Sequence, residues 1–452
     1  MRLKRAHIAL IIALAAVSCR GDDIYDISGY VNPSTPSVPG ENKPDDGDSK
    51  PDDGDNNGDG NGSGEVETPN PFDGWPSVDT GLPRLYIDTE NARTINSKTT
   101  YVNATFSLDG VGRWTNFIGR TGQIRGRGNT TWSWPKKPYH FNLDEKAPLL
   151  GMESNRHWVL LANFMDPTLM RNIVAMKVSS LTSLEWTPSC QSVELFLNGV
   201  HKGNYLLIEK VRVGKSRVNI SEDGYLLELD FHYDNPNQWK DHNIPFAVKY
   251  PDPEDITPSQ LSYIKGYIQD ASNTIYGSSF DDPEEGYVKY IDVDSFIDYW
   301  IVYEVMTNHE LGNPGSVFFH KEKGGKLVAG PCWDFDWGVL TFNTNNGKYA
   351  LVNGNAIWYS RLRKDPLFES RLKSRFEELL PELEKIPEFI DRTADYLEAS
   401  AAINRTLWDP SGDKISNGGN IINGDENLSF RAAVDRIKST YLTHLEVIRQ
   451  KL

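Results

Sequence analysis

The chain has 452 residues, a net charge of −16, and 12 Trp, 20 Tyr and 18 Phe that can fill a large core. The acidic balance argues against nucleic-acid binding, which requires a basic surface. Beyond the N-terminus, no apolar stretch is long enough to span a bilayer. We therefore expect no nucleic-acid partner and no transmembrane helix.

The N-terminus has the pattern of a lipoprotein signal peptide over residues 1–18, with basic residues followed by an apolar run too short to cross a membrane. Small residues precede Cys19 as in a lipobox, although Ala16 stands where Leu is usual. The acidic residues after Cys19 resemble the surface-export signal of Bacteroides-type lipoproteins. We expect lipidation at Cys19, and membrane attachment through that lipid alone, at the outer membrane or cell surface. The alternative is an ordinary signal peptide with an incidental cysteine.

Residues 19–77 have the composition of a disordered tether, rich in Pro, Gly and Asp. A Lys-Pro-Asp-Asp-Gly-Asp sequence starts at Lys43 and is repeated from Lys50. Too few apolar residues are present to offset the entropy of ordering the chain. Asp55 begins a segment that hints at a calcium loop, but its twelfth position is Val66 rather than Glu. A solvated acidic tether is therefore predicted.

Residues 78–452 are predicted to form one domain, because no second linker interrupts them. Its two cysteines, Cys190 and Cys332, lie in apolar, strand-like surroundings. They either pair or remain buried free thiols, and free thiols are the simpler interpretation.

The first half of this domain is predicted to be rich in strands. A helix is expected to start at Asp166-Pro167, with Asp as cap and Pro in the first turn. Asn198-Gly199 between two apolar runs is the strongest hairpin signal. Further predicted strands are Leu85–Asp88, Gln123–Arg127, Tyr139–Leu143 and Trp158–Leu161.

The second half is predicted to be mainly helical. Apolar residues at helical spacing between Val293 and Val305 predict a helix, and Gly324-Gly325 predicts a hairpin. Two closing helices are expected, over Phe368–Leu397 with a break near Pro387, and from Phe430 to Ile448. The sequence thus predicts an α+β fold with two lobes.

Asp334-Phe335-Asp336 is the first candidate for chemistry. In a strand both carboxylates would lie on the same face, where burial without a cation is costly. A hard divalent ion would satisfy them, whereas the plainer alternative is one turn cap and one solvated acid. Asn313 lies in a preceding loop and would ligate a metal or hold a turn. Glu310 is expected to end a helix, as a base or as a solvated residue.

A second candidate combines cations with a glycine-rich backbone from Arg125 to Trp132, followed by Lys136 and Lys137. Such groups bind phosphate oxygens, although exposed strand cations are common. Glu209 would hold one of the lysines, or form an ordinary cross-strand pair. Together with the acids, these residues suit phosphoryl transfer, which depends on positioning and electrostatics. No P-loop and no His-Arg-Asp loop is present, so the residues alone indicate a divalent-metal phosphate or polyol site.

Several motifs resemble the CotH-type kinase family, named for a spore-coat protein H. They occur in family order across about residues 82 to 380. The matching segments are Arg125–Trp132 with Pro135–Tyr139, Leu160–Asp166, Met170–Asn172, Leu195–Gly199 with Gly203–Tyr205, Glu209, and Gly330–Gly338.

The resemblance implies an atypical protein-kinase-like, two-lobed fold over residues 78–452. It also implies that this domain binds ATP together with Mg²⁺, and that Ca²⁺ and Mn²⁺ are the alternative ions. It implies phosphorylation of Ser, Thr or Tyr in exported or surface proteins. Carried over by position, Arg125, Arg127, Lys136 and Lys137 would bind nucleotide, and Glu209 would orient the lysine. Asp334 and Asp336 would bind the metal. Asn313 stands where family members place a catalytic or metal-binding acid, with Glu310 nearby, so Asn313, Glu310 and Lys137 are the catalytic candidates.

The main alternative is a catalytically inactive binding module of the same fold, with a structural divalent metal, that captures glycans or peptides. A glycoside hydrolase is less favoured, because no pair of acids is distinguished as acid and nucleophile. A zinc hydrolase is weaker still, since the His residues lack His-Glu-x-x-His spacing.

Overall fold

The computed structural model describes residues 70–341, 350–412, 416–417, 420–421 and 424–452. The predicted signal peptide, Cys19, and the predicted tether as far as residue 69 lie outside these residues, so those assignments stay predictions.

Seven strands of the first half form a closed barrel in the order β1-β2-β3-β4-β5-β7-β6. Neighbouring strands are antiparallel except β1 and β6, which pair in parallel. Closure leaves no free edge, and alternate side chains such as Leu85, Phe141 and Trp158 fill the interior. The strands are β1 Arg84–Thr89, β2 Val102–Asp109, β3 Phe117–Gly126, β4 Tyr139–Leu149, β5 Met152–Leu161, β6 Cys190–Leu197 and β7 Val200–Glu209.

The hairpin predicted at Asn198-Gly199 is confirmed as the β6–β7 connection. Both turn residues have positive φ, 51° and 73°, as a two-residue hairpin turn of this type requires. The four other predicted barrel strands are also confirmed by β1, β3, β4 and β5, except that Arg127 lies just beyond the end of β3 at Gly126.

A second sheet has five strands in the order β12-β11-β8-β10-β9. Its β11–β12 pair is antiparallel and confirms the hairpin predicted at Gly324-Gly325. The strands are β8 Tyr225–Leu229, β9 Gln238–Asp241, β10 Ile244–Tyr250, β11 Val317–Lys321 and β12 Leu327–Ala329. A short pair, β13 Ser416–Asn417 and β14 Asn420–Ile421, follows near the C-terminus.

The described helices are α1 Arg171–Ser180, α2 Pro258–Tyr276, α3 Val293–Val305, α4 Tyr359–Leu362, α5 Pro366–Leu383, α6 Ile386–Leu407 and α7 Phe430–Lys451. The predicted start at Asp166-Pro167 is wrong, since Asp166 instead closes a tight turn by accepting from Thr168 N at 3.0 Å. The predicted break near Pro387 is confirmed by the boundary between α5 and α6.

The folded part begins before the predicted boundary at residue 78. Phe72 is buried and packs with Trp75 against Tyr86 of β1 and Phe196 of β6. Residues 70–77 therefore cap the outside of the barrel.

The structure confirms a mixed α+β fold with a strand-rich first half and a helical C-terminal part. It does not confirm two kinase-like lobes, because the first strands close into a barrel. Cys190 and Cys332 are buried free thiols, as the simpler interpretation predicted. Within the described residues, no helix has the length and apolar character to cross a membrane.

Candidate functional site

Asp334 and Asp336 lie in a loop over residues 330–340 that follows β12. The expectation that they share a strand face is wrong, because β12 ends at Ala329 and Asp334 has a φ of 65°. The two carboxylates nevertheless interact. Burial, then the charges of Asp334 and Asp166, raise the pKa of Asp336 to about 8, and Arg127 opposes that rise.

Glu310 lies in the turn that follows α3 rather than at the helix end, because α3 ends at Val305. Its backbone N–H donates to Asn308 Oδ1 at 2.8 Å. Burial raises the pKa of Glu310 well above its ordinary value, and Asp334 and Asp336 add to the rise. Glu310 Oε2 is buried without a hydrogen-bond partner among the described residues. An acid in this state suits a nearby cation.

A fourth carboxylate belongs to the same region. Burial raises the pKa of Glu228 on β8, and Asp334 contributes to the rise while Lys249 opposes it. We call Glu228, Glu310, Asp334 and Asp336 the carboxylate cluster. Asn313 is exposed on the loop after α3, three residues beyond Glu310. The fold thus gathers the predicted acids Glu310, Asp334 and Asp336 from two chain segments, and Glu228, which the sequence analysis did not predict, adds a third segment.

Arg127 connects this cluster to the barrel. Its guanidinium carbon lies 5.7 Å from the centre of the Trp333 ring, which immediately precedes Asp334. Arg125 lies two residues earlier, 5.0 Å from the centre of the Tyr101 ring. Arg125 Nε is buried without a hydrogen-bond partner in the described part of the chain. Arg125 and Arg127 are therefore the candidate phosphate-binding cations of this region.

Two further cations, which the sequence analysis missed, join these arginines. Burial, followed by the positive charges of Lys210, Arg125, Arg127 and Arg212, lowers the pKa of His140 to about 2. We call these four residues the cation cluster. The pKa of Lys210 is itself lowered to about 8, by burial first and then by Arg125, Lys249 and Arg127. Mutual repulsion of this kind is relieved by a bound polyanion.

The sequence did contain a signal for the missed residues. Lys210 and Arg212 directly follow β7 and alternate with valines, and an extended chain places i and i+2 on one face. The family motif matched in this part of the chain ends at Glu209, just before Lys210 and Arg212. Lys249 was also missed, and its Nζ lies 3.0 Å from Glu228 Oε2, between the two clusters.

Lys136 lies away from the cation cluster in a structural position. It is fully buried, and Nζ donates to Asn204 O and, at 2.8 Å, to Asn404 Oδ1 of α6. Nζ also lies 4.5 Å from the centre of the Tyr205 ring. Burial lowers the pKa of Lys136 to about 7. These contacts join the barrel to α6, so the predicted nucleotide contact of Lys136 conflicts with its placement.

Lys137 and Glu209 do not form the predicted pair. Lys137 Nζ donates to Trp132 O at 2.8 Å and lies 5.5 Å from the centre of that ring. Glu209 Oε1 pairs with Arg217 at 2.7 Å, and its Oε2 accepts from Ser189 N at 3.0 Å. The expected lysine–glutamate pair is therefore wrong, because Arg217, which has no counterpart in the motif, takes the glutamate.

The donor atoms present at the site decide whether it fits a divalent ion. Among the described residues, no three His, Cys, Asp or Glu side chains form a ready metal cage. Mg²⁺, however, usually takes only one or two carboxylates and completes its shell with phosphate and water. Asp334 and Asp336 provide such a pair. The charges of both aspartates raise the pKa of Glu310, whose Oε2 has no hydrogen-bond partner among the described residues. The donors fit an ion that arrives with a phosphate.

The arrangement places cations for a polyanion beside acids for a divalent ion, which is what transfer of a phosphoryl group requires. A family model described as CotH kinase protein matches residues 124–442. That span contains the cation cluster and the carboxylate cluster. The comparison with curated proteins gave no match.

Proposed function

Because the chain belongs to the CotH kinase protein family, we propose that it transfers a phosphoryl group from ATP to Ser, Thr or Tyr hydroxyls of exported or surface proteins. Family membership suggests a kinase-like activity that uses a nucleotide and a metal in general terms. The observation that best supports the proposal is the position of Arg127. Arg127 belongs to the cation cluster, and its charge also opposes the rise in the pKa of Asp336 in the carboxylate cluster.

In this proposal, Arg125, Arg127 and Lys210 bind the phosphate chain. Asp334 and Asp336 would hold Mg²⁺, which when bound would supply positive charge to the phosphoryl oxygens. Glu310 accepts the proton of the acceptor hydroxyl. Since the two aspartates raise the pKa of Glu310, a cation on them favours its ionised form.

Asn313 keeps its proposed catalytic or metal-binding role. Its exposure on the loop after Glu310 supports a contact with the acceptor. An amide cannot accept the proton, so the base in this chain is assigned to Glu310.

The test is transfer of labelled phosphate from ATP to a mixture of Ser, Thr and Tyr peptides by the purified full chain, with Mg²⁺ or Mn²⁺. Asp336→Asn should lower the transfer rate by about a hundredfold or more, because it removes a metal ligand. Asp223→Asn, at an exposed surface ion pair with Lys323, is the control and should match the wild type. A wild type without transfer, or an Asp336→Asn variant of unchanged rate, would refute the proposal.

We also propose that lipid on Cys19 holds the protein at the outer membrane or cell surface. The support is the sequence pattern alone, since Cys19 lies outside the described residues. Cells fed a labelled fatty acid should label the wild type and not Cys19→Ser, and the variant should leave the membrane fraction. Equal labelling of both proteins would contradict the anchor.

A second candidate, a surface binding module for glycans or peptides, is favoured by exposed aromatic side chains beside the carboxylate cluster. Phe231 and Tyr233 are 46% and 45% exposed. Phe231 N donates to Pro314 O at 2.7 Å, in the loop that carries Glu310. If Phe231→Ala abolishes binding to a glycan or peptide panel while no variant or condition shows phosphate transfer, this second function is the correct one.

A further inference from the structure

Two adjacent residues at the start of α1 hold the 330–340 loop on both sides of Asp336. Asn172 Oδ1 accepts from Phe335 N at 2.8 Å, and Arg171 Nε donates to Val339 O at 2.7 Å. Arg171 and Asn172 are 0% and 1% exposed. Neither side chain is needed here to cover apolar surface, so the burial of their polar groups beside this loop needs a specific explanation.

Arg171 is itself fixed by two buried acids. Its guanidinium donates to Asp166, and Nη2 lies 2.6 Å from Asp425 Oδ2. Asp425 is fully buried and comes from the segment just before α7. Three distant chain segments thus meet at one cation. Because removing one partner of such a buried group leaves an uncompensated charge, the arrangement has little freedom to move.

The other side of the loop is joined to the segment that carries Glu310. Leu340 N donates to Thr307 Oγ1 at 2.8 Å, three residues before Glu310. The positions of Asp336 and Glu310 are therefore linked through Thr307, and both depend on the contacts at α1.

We propose that Arg171, Asn172 and Asp425 are positioning residues that set the geometry of Asp334 and Asp336 for a divalent ion. The inference rests on the proposed metal-dependent function. Loss of a residue that orients metal ligands typically weakens metal affinity about 10–100-fold. The three residues should act in this way without contacting the ion.

The test measures Mn²⁺ binding to the full chain by titration calorimetry, with and without ATP, beside the melting temperature of each variant. Asn172→Ala should weaken Mn²⁺ binding about tenfold or more. Asp425→Asn keeps the side-chain volume and should weaken it similarly. Asn204→Ala is the matched control, because Asn204 is 0% exposed and its Nδ2 donates to Ser400 Oγ at 3.0 Å, between β7 and α6. The control should lower stability and leave Mn²⁺ affinity unchanged.

The outcomes separate this inference from the proposed function. A wild type that binds no Mn²⁺ in either condition overturns both. A wild type that binds Mn²⁺, with both variants binding equally well, overturns only the positioning roles. Equal weakening by Asn204→Ala also overturns them, because general destabilisation would then explain the loss. If Asn172→Ala does not fold, the comparison of Asp425→Asn with the wild type decides.

Discussion

Burial and neighbouring charge raise the pKa values of Glu228, Glu310 and Asp336 at the candidate site. Asp336 and Glu310 both have raised pKa values, because their charged forms are poorly solvated and repel one another. Such perturbed carboxylates cluster at functional sites. In the absence of a cation, the folded protein therefore retains protons that these groups would release in water.

Asp336 gives a prediction for stability against pH. The folded pKa of about 8 lies above the ordinary value of 3.8, so the unfolded chain releases this proton first as pH rises. The contribution to stability is present below about pH 4 and is lost as pH rises through about 8. Asn cannot ionise, so Asp336→Asn should melt about 2 °C or more above the wild type at pH 8.5 without metal, and close to it at pH 5. Melting followed by circular dichroism checks this, and an identical offset at both pH values would contradict it.

Lys136 and Lys210 both lie in the segment that the family model matches, but their surroundings are opposite. Lys136 has hydrogen-bond acceptors on two elements and a ring beneath it, whereas Lys210 has like charges around it and no hydrogen bond or ion pair among the described residues. A lysine surrounded by cations costs stability until an anion binds. This contrast separates a structural lysine from a binding lysine.

Substitution of each lysine by Met should therefore give opposite results. Lys136→Met leaves Asn204 O and Asn404 Oδ1 unpaired, and should lower the free energy of unfolding by about 2–4 kcal/mol with the KM for ATP unchanged. Lys210→Met should raise the KM for ATP about tenfold, an expected loss of about 1.4 kcal/mol in binding. It should not lower the free energy of unfolding of the nucleotide-free protein, because it removes a charge that the surrounding cations repel. Urea denaturation and steady-state kinetics measure the two quantities. The reverse pattern would restore Lys136 as the nucleotide contact.

At the scale of elements, the loop from Gly126 to Lys137 positions Arg127. A Cβ on Gly126 would lie 2.2 Å from the Trp132 ring, so only glycine allows this ring to pack on the end of β3. Gly128 has a φ of 86°, and the Lys137 Nζ contact with Trp132 O closes the loop. Beyond Arg125, the run that the sequence presents as phosphate-binding is thus largely a scaffold that positions Arg127.

Gly126→Ala should consequently displace Trp132 and with it Arg127. We expect a destabilisation of about 1–3 kcal/mol from overpacking, and a KM for ATP raised about tenfold. The matched control is Gly266→Ala in α2, where a Cβ meets nothing within 4 Å and alanine is the better helix former. That control should stabilise slightly without changing the KM. Similar effects of the two substitutions would exclude a role of the loop in nucleotide binding.

Predictions of elements succeeded where the signal was local. The hairpins at Asn198-Gly199 and Gly324-Gly325 follow from turn chemistry that a few residues contain. The strand predicted at Asp334-Phe335-Asp336 failed, because alternation of polar and apolar residues also fits a loop whose shape is set by distant partners such as Asn172. The start of α1 was misplaced for a similar reason, since Arg171 draws Asp166 into an ion pair.

At the scale of the whole molecule, the first residues of the fold lie across the outside of the barrel. Phe72 is 5% exposed and its ring lies 5.6 Å from that of Tyr86, and Tyr86 stacks on Phe196 at 5.0 Å. Tyr86 also donates from its hydroxyl to Pro76 O at 2.9 Å. A chain starting at residue 78 would expose these surfaces.

We therefore expect a protein starting at residue 78 to be less stable than one starting at residue 70. Loss of one buried large aromatic side chain costs about 3–5 kcal/mol when cut to Ala, and removal of the whole segment should approach that range. Thermal and urea unfolding of the two proteins measure the difference. Equal stability would place the domain start at residue 78, as the composition alone suggested.

The amino-acid sequence by itself determined the mixed fold class, most barrel strands, both hairpins and the family, because these depend on periodicity, turn residues and motifs that are local in the chain. It also identified Arg125, Arg127, Glu310, Asp334 and Asp336 as candidates. Only the tertiary structure decided which cations face these acids. Lys249 pairs with Glu228, and Lys210 lies with the arginines of the cation cluster. Lys136 instead contacts Asn404, and Glu209 pairs with Arg217. The physical reason is that a buried charge depends on whichever partners and solvent the fold brings to it, and those partners range from near neighbours in the chain to residues hundreds of positions away.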